Sequence, residues 1–142
     1  MTTADLNPES APFWAGCAEG ELRYQRCQDC GEAIFSPRSL CPNCSSLNLR
    51  WERASGRGRI YSYSIVHRDA GDHLPAPYVF ALVDLDEGFR MMTNIVDAAD
   101  SELAIGADVL VEFRPREGTD RILPLFRLAP PTAQRAKDER RQ

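Results

Sequence analysis

A chain of 142 residues with 43% apolar and 27% charged side chains has an ordinary globular composition, enough for one modest core or for a small metal module beside a compact domain. No stretch approaches the roughly 18 apolar residues of a membrane-crossing helix, and Met1 to Pro8 lacks the apolar run of a secretory leader, so a soluble, cytoplasmic protein without a membrane partner is expected. The net charge of −4 is unevenly laid out, with 13 basic and 19 acidic side chains in residues 1–130 and four and two in residues 131–142, and an acidic body speaks against a nucleic-acid surface.

Residues 1–21 are expected to hold a short helix, from Pro8 to Gly20. Asn7 or Ser10 can cap it, Pro8 or Pro12 suits its first turn, and Gly20 can stop it. Phe13, Trp14 and Cys17 then share one face, readable either as core packing or as an aromatic docking surface. Cys17 is expected to be a buried or half-buried thiol.

Residues 22–54 carry two matched pairs, Cys27-Gln-Asp-Cys30 and Cys41-Pro-Asn-Cys44, ten residues apart. Two residues between thiolates let a tight turn aim both sulfurs at one ion, and two such knuckles complete the tetrahedral shell of structural zinc. Iron fits the same four sulfurs, and a single pair would suit a redox dithiol, but duplicated pairs favour metal. Gly31 supplies the positive φ a knuckle needs, whereas Ser45 stands where a second glycine is expected. Short strands are expected at Leu22 to Arg26, Ile34-Phe35 and Leu47 to Trp51, with Trp51 packing the ribbon against the next unit.

Residues 55–130 contain five strand-like segments: Gly58 to His67, Tyr78 to Leu85, Phe89 to Ile95, Asp108 to Arg114 and Ile122 to Leu128. Asp86-Glu87-Gly88 reads as a tight hairpin, and Asp100 to Gly106 as a capped helical turn closed by glycine. Five strands with a small connection after the third predict a Greek-key OB barrel. The chain is therefore expected to be mainly β: an N-terminal helix and zinc ribbon followed by a five-stranded OB-fold barrel. Residues 131–142 are polar and are expected to form a disordered basic tail.

An OB barrel with a ribbon invites the reading of a single-stranded nucleic-acid binder, with Arg57, Arg59 and Arg68 around Tyr61 and Tyr63 as its local patch; the interspersed acidic residues argue against it. No catalytic set is expected either. His67 ends a strand, His73 sits beside Asp72 in a loop, and no Gly-x-Ser-x-Gly elbow, Walker loop or dinucleotide fingerprint is present.

The run Phe13-Trp14, Gly20-Glu21-Leu22, Gln25 to Gly31, Pro37-Arg38, Cys41 to Cys44 and Ser55-Gly56-Arg57-Gly58, with Leu103-Ala104-Ile105-Gly106 before the fourth barrel strand, resembles an acyl-CoA-associated family. Its members join a rubredoxin-like zinc ribbon to an OB fold and were long catalogued as a domain of unknown function; the resemblance spans about Phe13 to Leu128. It implies a non-catalytic accessory subunit of a thiolase-like acyltransferase, thiolase or aldolase complex. Such a subunit bridges catalytic chains in a hetero-oligomer and helps enclose the arm of a coenzyme A thioester, and a hot-dog-fold enoyl-CoA hydratase complex is the alternative. For docking, Phe13 and Trp14 offer an aromatic face, and Phe35, Pro37 and Arg38 a stiff loop whose arginine can reach a carboxylate or phosphate or, equally, form an internal hydrogen bond to the ribbon. Tyr61, Tyr63 and Tyr78 are candidates for a barrel mouth that accepts pantetheine.

Overall fold

A computed structural model describes residues 10–68, 76–116 and 121–130. His73, the capping candidate Asn7, the first-turn candidate Pro8 and the tail 131–142 lie outside the described residues.

The helix α1 spans Ala11–Ala18, shorter than expected. Ser10 stands at its N-cap with αR backbone angles but, contrary to expectation, makes no side-chain cap bond, and Pro12 occupies the first turn as expected. Gly20 at φ 77 closes it, with its N–H on the Cys17 carbonyl at 3.1 Å. Phe13, Gly16 and Cys17 face inward. A Cβ on Gly16 would lie 2.6 Å from Arg23 Cδ, so this glycine lets the arginine lie across the helix, where it meets Glu19 at 2.7 Å.

The ribbon is a three-stranded antiparallel sheet ordered β2-β1-β3, with β1 at Arg23–Cys27, β2 at Ala33–Ile34 and β3 at Leu49–Arg53. The third strand starts two residues later than expected because Leu47 stays in solvent, 76% exposed. Gln25 stands opposite both Ile34 and Trp51, at the middle of the sheet.

Five strands close the barrel in the order β4-β5-β6-β8-β7: β4 Arg57–Val66, β5 Tyr78–Leu85, β6 Arg90–Val96, β7 Asp108–Pro115 and β8 Ile122–Leu128. β6 and β8 run parallel and β7 returns to β4, the closure of an OB fold. A register shift between Ile60 and Ser62 leaves Tyr61 as the extra residue, which bends the long first strand. Between β6 and β7, a 3-10 turn at Asp100–Glu102 follows Ala99, whose N–H donates to the Glu102 carboxylate at 2.8 Å.

Alternation sends Val79, Ala81, Val83 and Leu85 of β5 inward, against Ile60, Met91, Ile95, Val109 and Phe126. The same buried cluster continues into Phe13, Cys17, Leu22 and Tyr24, with Trp51 packed against it. Helix, barrel and the base of the ribbon therefore share one core, while Cys27, Ile34 and Cys41 of the ribbon form a second, smaller cluster with Leu49 packed against it. Among the described residues no helix is long and apolar enough to cross a membrane.

Candidate metal centre and docking surface

The two knuckles are built alike. Gly31 N–H donates to the Cys27 carbonyl and Ser45 N–H to the Cys41 carbonyl, each at 2.9 Å. Gly31 takes φ 81 and Ser45 φ 64, so the serine adopts the left-handed conformation for which a glycine was expected. Backbone amides then point at sulfur: Cys30 N–H lies 3.4 Å from Cys27 Sγ, and Asn43 N–H 3.3 Å from Cys41 Sγ. The Asn43 side-chain amide adds a contact of 3.5 Å to Cys30 Sγ.

All four sulfurs lie within 4.8 Å of one another, with Cys27 to Cys44 at 3.5 Å and Cys30 to Cys41 at 3.6 Å. A tetrahedral zinc with Zn–S bonds of about 2.3 Å has sulfur–sulfur edges of roughly 3.8 Å, so the set fits the ion. The electrostatics agree. The Cys30 N–H, against the cost of burial, holds the Cys27 thiol down to about 6. At Cys44 the Ser46 N–H pulls downward, yet the Cys27 sulfur, burial, Cys30 and Cys41 together push it up to about 12. Bringing Cys44 to the thiolate beside the other three sulfurs needs a cation at their centre. A bound zinc ion would cross-link the two knuckles, its shell filled by the four thiolates.

Beyond the knuckles, aromatic rings connect the three units. Trp14 meets Phe13 edge-on at 5.0 Å, Phe13 meets Phe35 at 5.4 Å, Phe35 stacks on Phe89 at 5.4 Å, and Phe89 stacks on Tyr24 at 4.9 Å. Of the expected docking residues, Phe13 is 7% exposed and belongs to the core. Trp14, Phe35 and Pro37 are half-buried and Arg38 is exposed. Arg121 lies 4.5 Å over the Trp14 ring.

The other candidates separate. Tyr63 donates from its hydroxyl to the Leu103 carbonyl at 3.3 Å and packs on the core. Tyr61 points outward with the Arg90 guanidinium 3.4 Å over its ring, so an intramolecular cation covers a face that a base would need. Arg59 is paired with Asp108 at 3.4 Å. Cys17 is 1% exposed, and burial, outweighing the nearby Arg23 charge, raises its thiol to about 12. His67 is exposed at the end of β4.

Sequence reasoning missed two features. Arg26 is a hub: its guanidinium donates to Glu52 at 3.0 Å, the Tyr24 hydroxyl at 2.8 Å, the Gly31 carbonyl at 2.8 Å and the Glu87 carbonyl at 3.2 Å, tying knuckle, ribbon and barrel hairpin together. Met92 projects from the outer face of β6, 67% exposed, and lines a hollow with Trp14 and Phe35. Its signal was present as an apolar residue on the solvent side of an alternating strand.

Fold and site together define a class: a rubredoxin-like zinc ribbon set on a five-stranded OB-fold barrel. The chain belongs to the ChsH2 (DUF35) family, with residues 14–50 matching the ChsH2 rubredoxin-like zinc ribbon domain and residues 51–114 the ChsH2 C-terminal OB-fold domain. It is 33% identical to a probable enoyl-CoA hydratase alpha subunit of Thermomonospora curvata over 89% of this chain, but spans only 39% of that subunit's length. A DUF35 domain-containing scaffold protein of Methanothermobacter thermautotrophicus is 37% identical, with 78% of this chain and 87% of that protein aligned. The benzoylsuccinyl-CoA thiolase subunit BbsA of Geobacter metallireducens is 34% identical over 56% of this chain and 53% of its own. Among solved structures, a chain of the Ltp2-ChsH2(DUF35) aldolase superposes with a TM-score of 0.80 at 32% identity, covering 89% of this chain and 98% of that one.

Proposed function

We propose that this chain is a non-catalytic accessory subunit of a thiolase-like acyl-CoA complex, an acyltransferase, thiolase or aldolase, in which it bridges catalytic subunits. The observation that carries the reading is the similarity along nearly the whole of a chain of the Ltp2-ChsH2(DUF35) aldolase, whose name pairs two components. The thiolase subunit and the scaffold proteins among the relatives support the same role. On this reading the chain divides into a helical segment 1–21, a ribbon 22–54, a barrel 55–130 and a basic tail 131–142, and it works in the cytoplasm. Cys27, Cys30, Cys41 and Cys44 hold one structural zinc. Trp14, Phe35, Pro37 and Arg38 take part in docking, and a coenzyme A thioester is a ligand of the assembled complex.

The hydratase alternative rests on relatives named as hydratase alpha subunits, of which this chain matches 39% and 35% of the length. Affinity purification of the full chain from its native host separates the two. A thiolase-like protein should co-purify and lose activity when this chain is removed. Recovery of a hydratase subunit instead would establish the alternative, and repeated recovery of this chain alone would defeat both.

A further inference from the structure

Two hollows adjoin at Phe35. One, of about 300 Å³, is walled by Phe13 and Trp14 from α1, Phe35 from the ribbon, Met92 from β6, and Leu123 and Pro124 from β8. The other, of about 340 Å³, is lined by Glu32, Phe35, Arg38, Pro42, Phe89 and Arg90. The first is apolar and open, with the flexible thioether of Met92 at its edge, a side chain suited to adapting to an inserted group.

Arg38 commands the second. Its backbone is clasped at both ends by one side chain: Arg38 N–H donates to Gln25 Oε1 at 2.8 Å, and Gln25 Nε2 donates to the Arg38 carbonyl at 3.1 Å. Gln25 is only 6% exposed. A buried amide is thus committed to holding an exposed arginine in place, while among the described residues no hydrogen bond or ion pair takes that arginine's guanidinium.

The charge count selects the ligand. Arg90 is matched by Asp84 at 2.6 Å and 3.3 Å, which leaves Arg38 as the cation of this rim without a matched anion among the described residues, with Glu32 elsewhere on the same lining. A polyphosphate, with several negative charges, would meet only one unmatched guanidinium on a rim that also carries Glu32. A single carboxylate matches one guanidinium with two parallel N–H donors.

Resting on the accessory-subunit reading, we propose that the two hollows form one docking site for a segment of the catalytic subunit. Its bulky apolar side chain fills the space between Trp14 and Met92, and a carboxylate a few residues away pairs with Arg38.

The test uses the full zinc-loaded chain and its co-purified catalytic subunit. Arg38→Glu and Met92→Asp each alter an exposed side chain, and unchanged zinc content and melting of the free variants verify their fold. Each should weaken assembly by about tenfold or more, with Arg38→Lys intermediate because an ammonium cannot form the paired bonds. Hydroxyl-radical footprinting should show Met92 oxidised in the free chain and protected several-fold in the complex. Unchanged assembly by both variants, with Met92 still oxidised, would overturn the site while leaving the accessory role standing. A loss of coenzyme A affinity in Arg38→Glu without loss of assembly would overturn the carboxylate assignment in favour of a phosphate. Failure of any catalytic subunit to co-purify would remove the accessory reading and this inference with it.

Discussion

At the residue scale, space and backbone angle separate positions that look equivalent in sequence. Gly56 and Gly88 both lie in the left-handed region, at φ 82 and φ 104. A Cβ on Gly56 would meet Val111 Cγ1 at 2.4 Å, whereas nothing lies within 4 Å of one on Gly88. Gly88→Ala should therefore cost only backbone strain, about 1–2 kcal/mol. Gly56→Ala adds a clash with a core-packed side chain and should cost about 1–3 kcal/mol more, a difference that urea melts of the two variants would resolve. Cys17 gives a second contrast. With its thiol raised to about 12 by burial, it should resist a thiol-specific chromogenic reagent at pH 8 in the native zinc-loaded protein and react only on unfolding. Fast labelling of Cys17 would contradict the sealed core around α1.

At the element scale, ribbon and barrel are joined by aromatic stacks and a polar hub rather than by sequence continuity alone. Tyr24, Arg26 and Glu52 form a triangle in which the tyrosine hydroxyl and the guanidinium both donate to the same carboxylate oxygen, at 2.9 Å and 3.0 Å. The Tyr24 hydroxyl first, and Arg26 next, hold the Glu52 carboxyl below its ordinary 4.5. A depressed carboxyl contributes stability that is present above the unfolded value and lost as pH falls through the lower folded value. Glu52→Gln should therefore be less stable than the parent near neutrality, and the gap should close as the pH falls below about 4.5. Measuring the difference between the two proteins at each pH subtracts the acid release of metal, which is common to both. A gap that stays constant down to strong acid would place Glu52 outside the ion pair.

At the scale of the whole molecule, the aromatic stacks and the Arg26 bond that join ribbon to barrel would make a bound zinc a stabiliser of more than the ribbon. Cys41→Ser should release about one equivalent of zinc, because closed four-thiolate sites and their folds are coupled. The stacks of Phe35 and Tyr24 on Phe89 extend the consequence. The barrel of the variant should survive but melt at a lower temperature than in the parent, read by metal analysis alongside far-ultraviolet circular dichroism. Full zinc retention would count against the four-cysteine shell, and an unshifted barrel transition against the coupling. Much of this architecture was legible in the chain. The spacing of the cysteines is a short-range property, since a knuckle is closed by bonds such as Gly31 N–H to the Cys27 carbonyl within four residues. The β5 and β8 spans, Tyr78–Leu85 and Ile122–Leu128, match the expected segments because alternation or β-rich composition between turn signals is equally local. The ends of α1 and β3 were less legible, because capping geometry and the exposure of Leu47 depend on what packs nearby. The docking surface was hardly legible at all. Phe13 and Trp14 are neighbours in sequence and both wall the hollow, yet Phe13 is buried in the core and Trp14 stays half-buried. Gln25 clasps Arg38 thirteen residues away, and Phe89 lies between two ribbon rings only because the barrel hairpin folds against the ribbon. The order and type of the elements, the fold class and the paired cysteines were readable from the chain alone, because each follows from local periodicity and spacing. Which aromatic faces stay open, and which arginine has no ionic partner among the described residues, follow from contacts between segments distant along the chain and became visible only in the folded molecule.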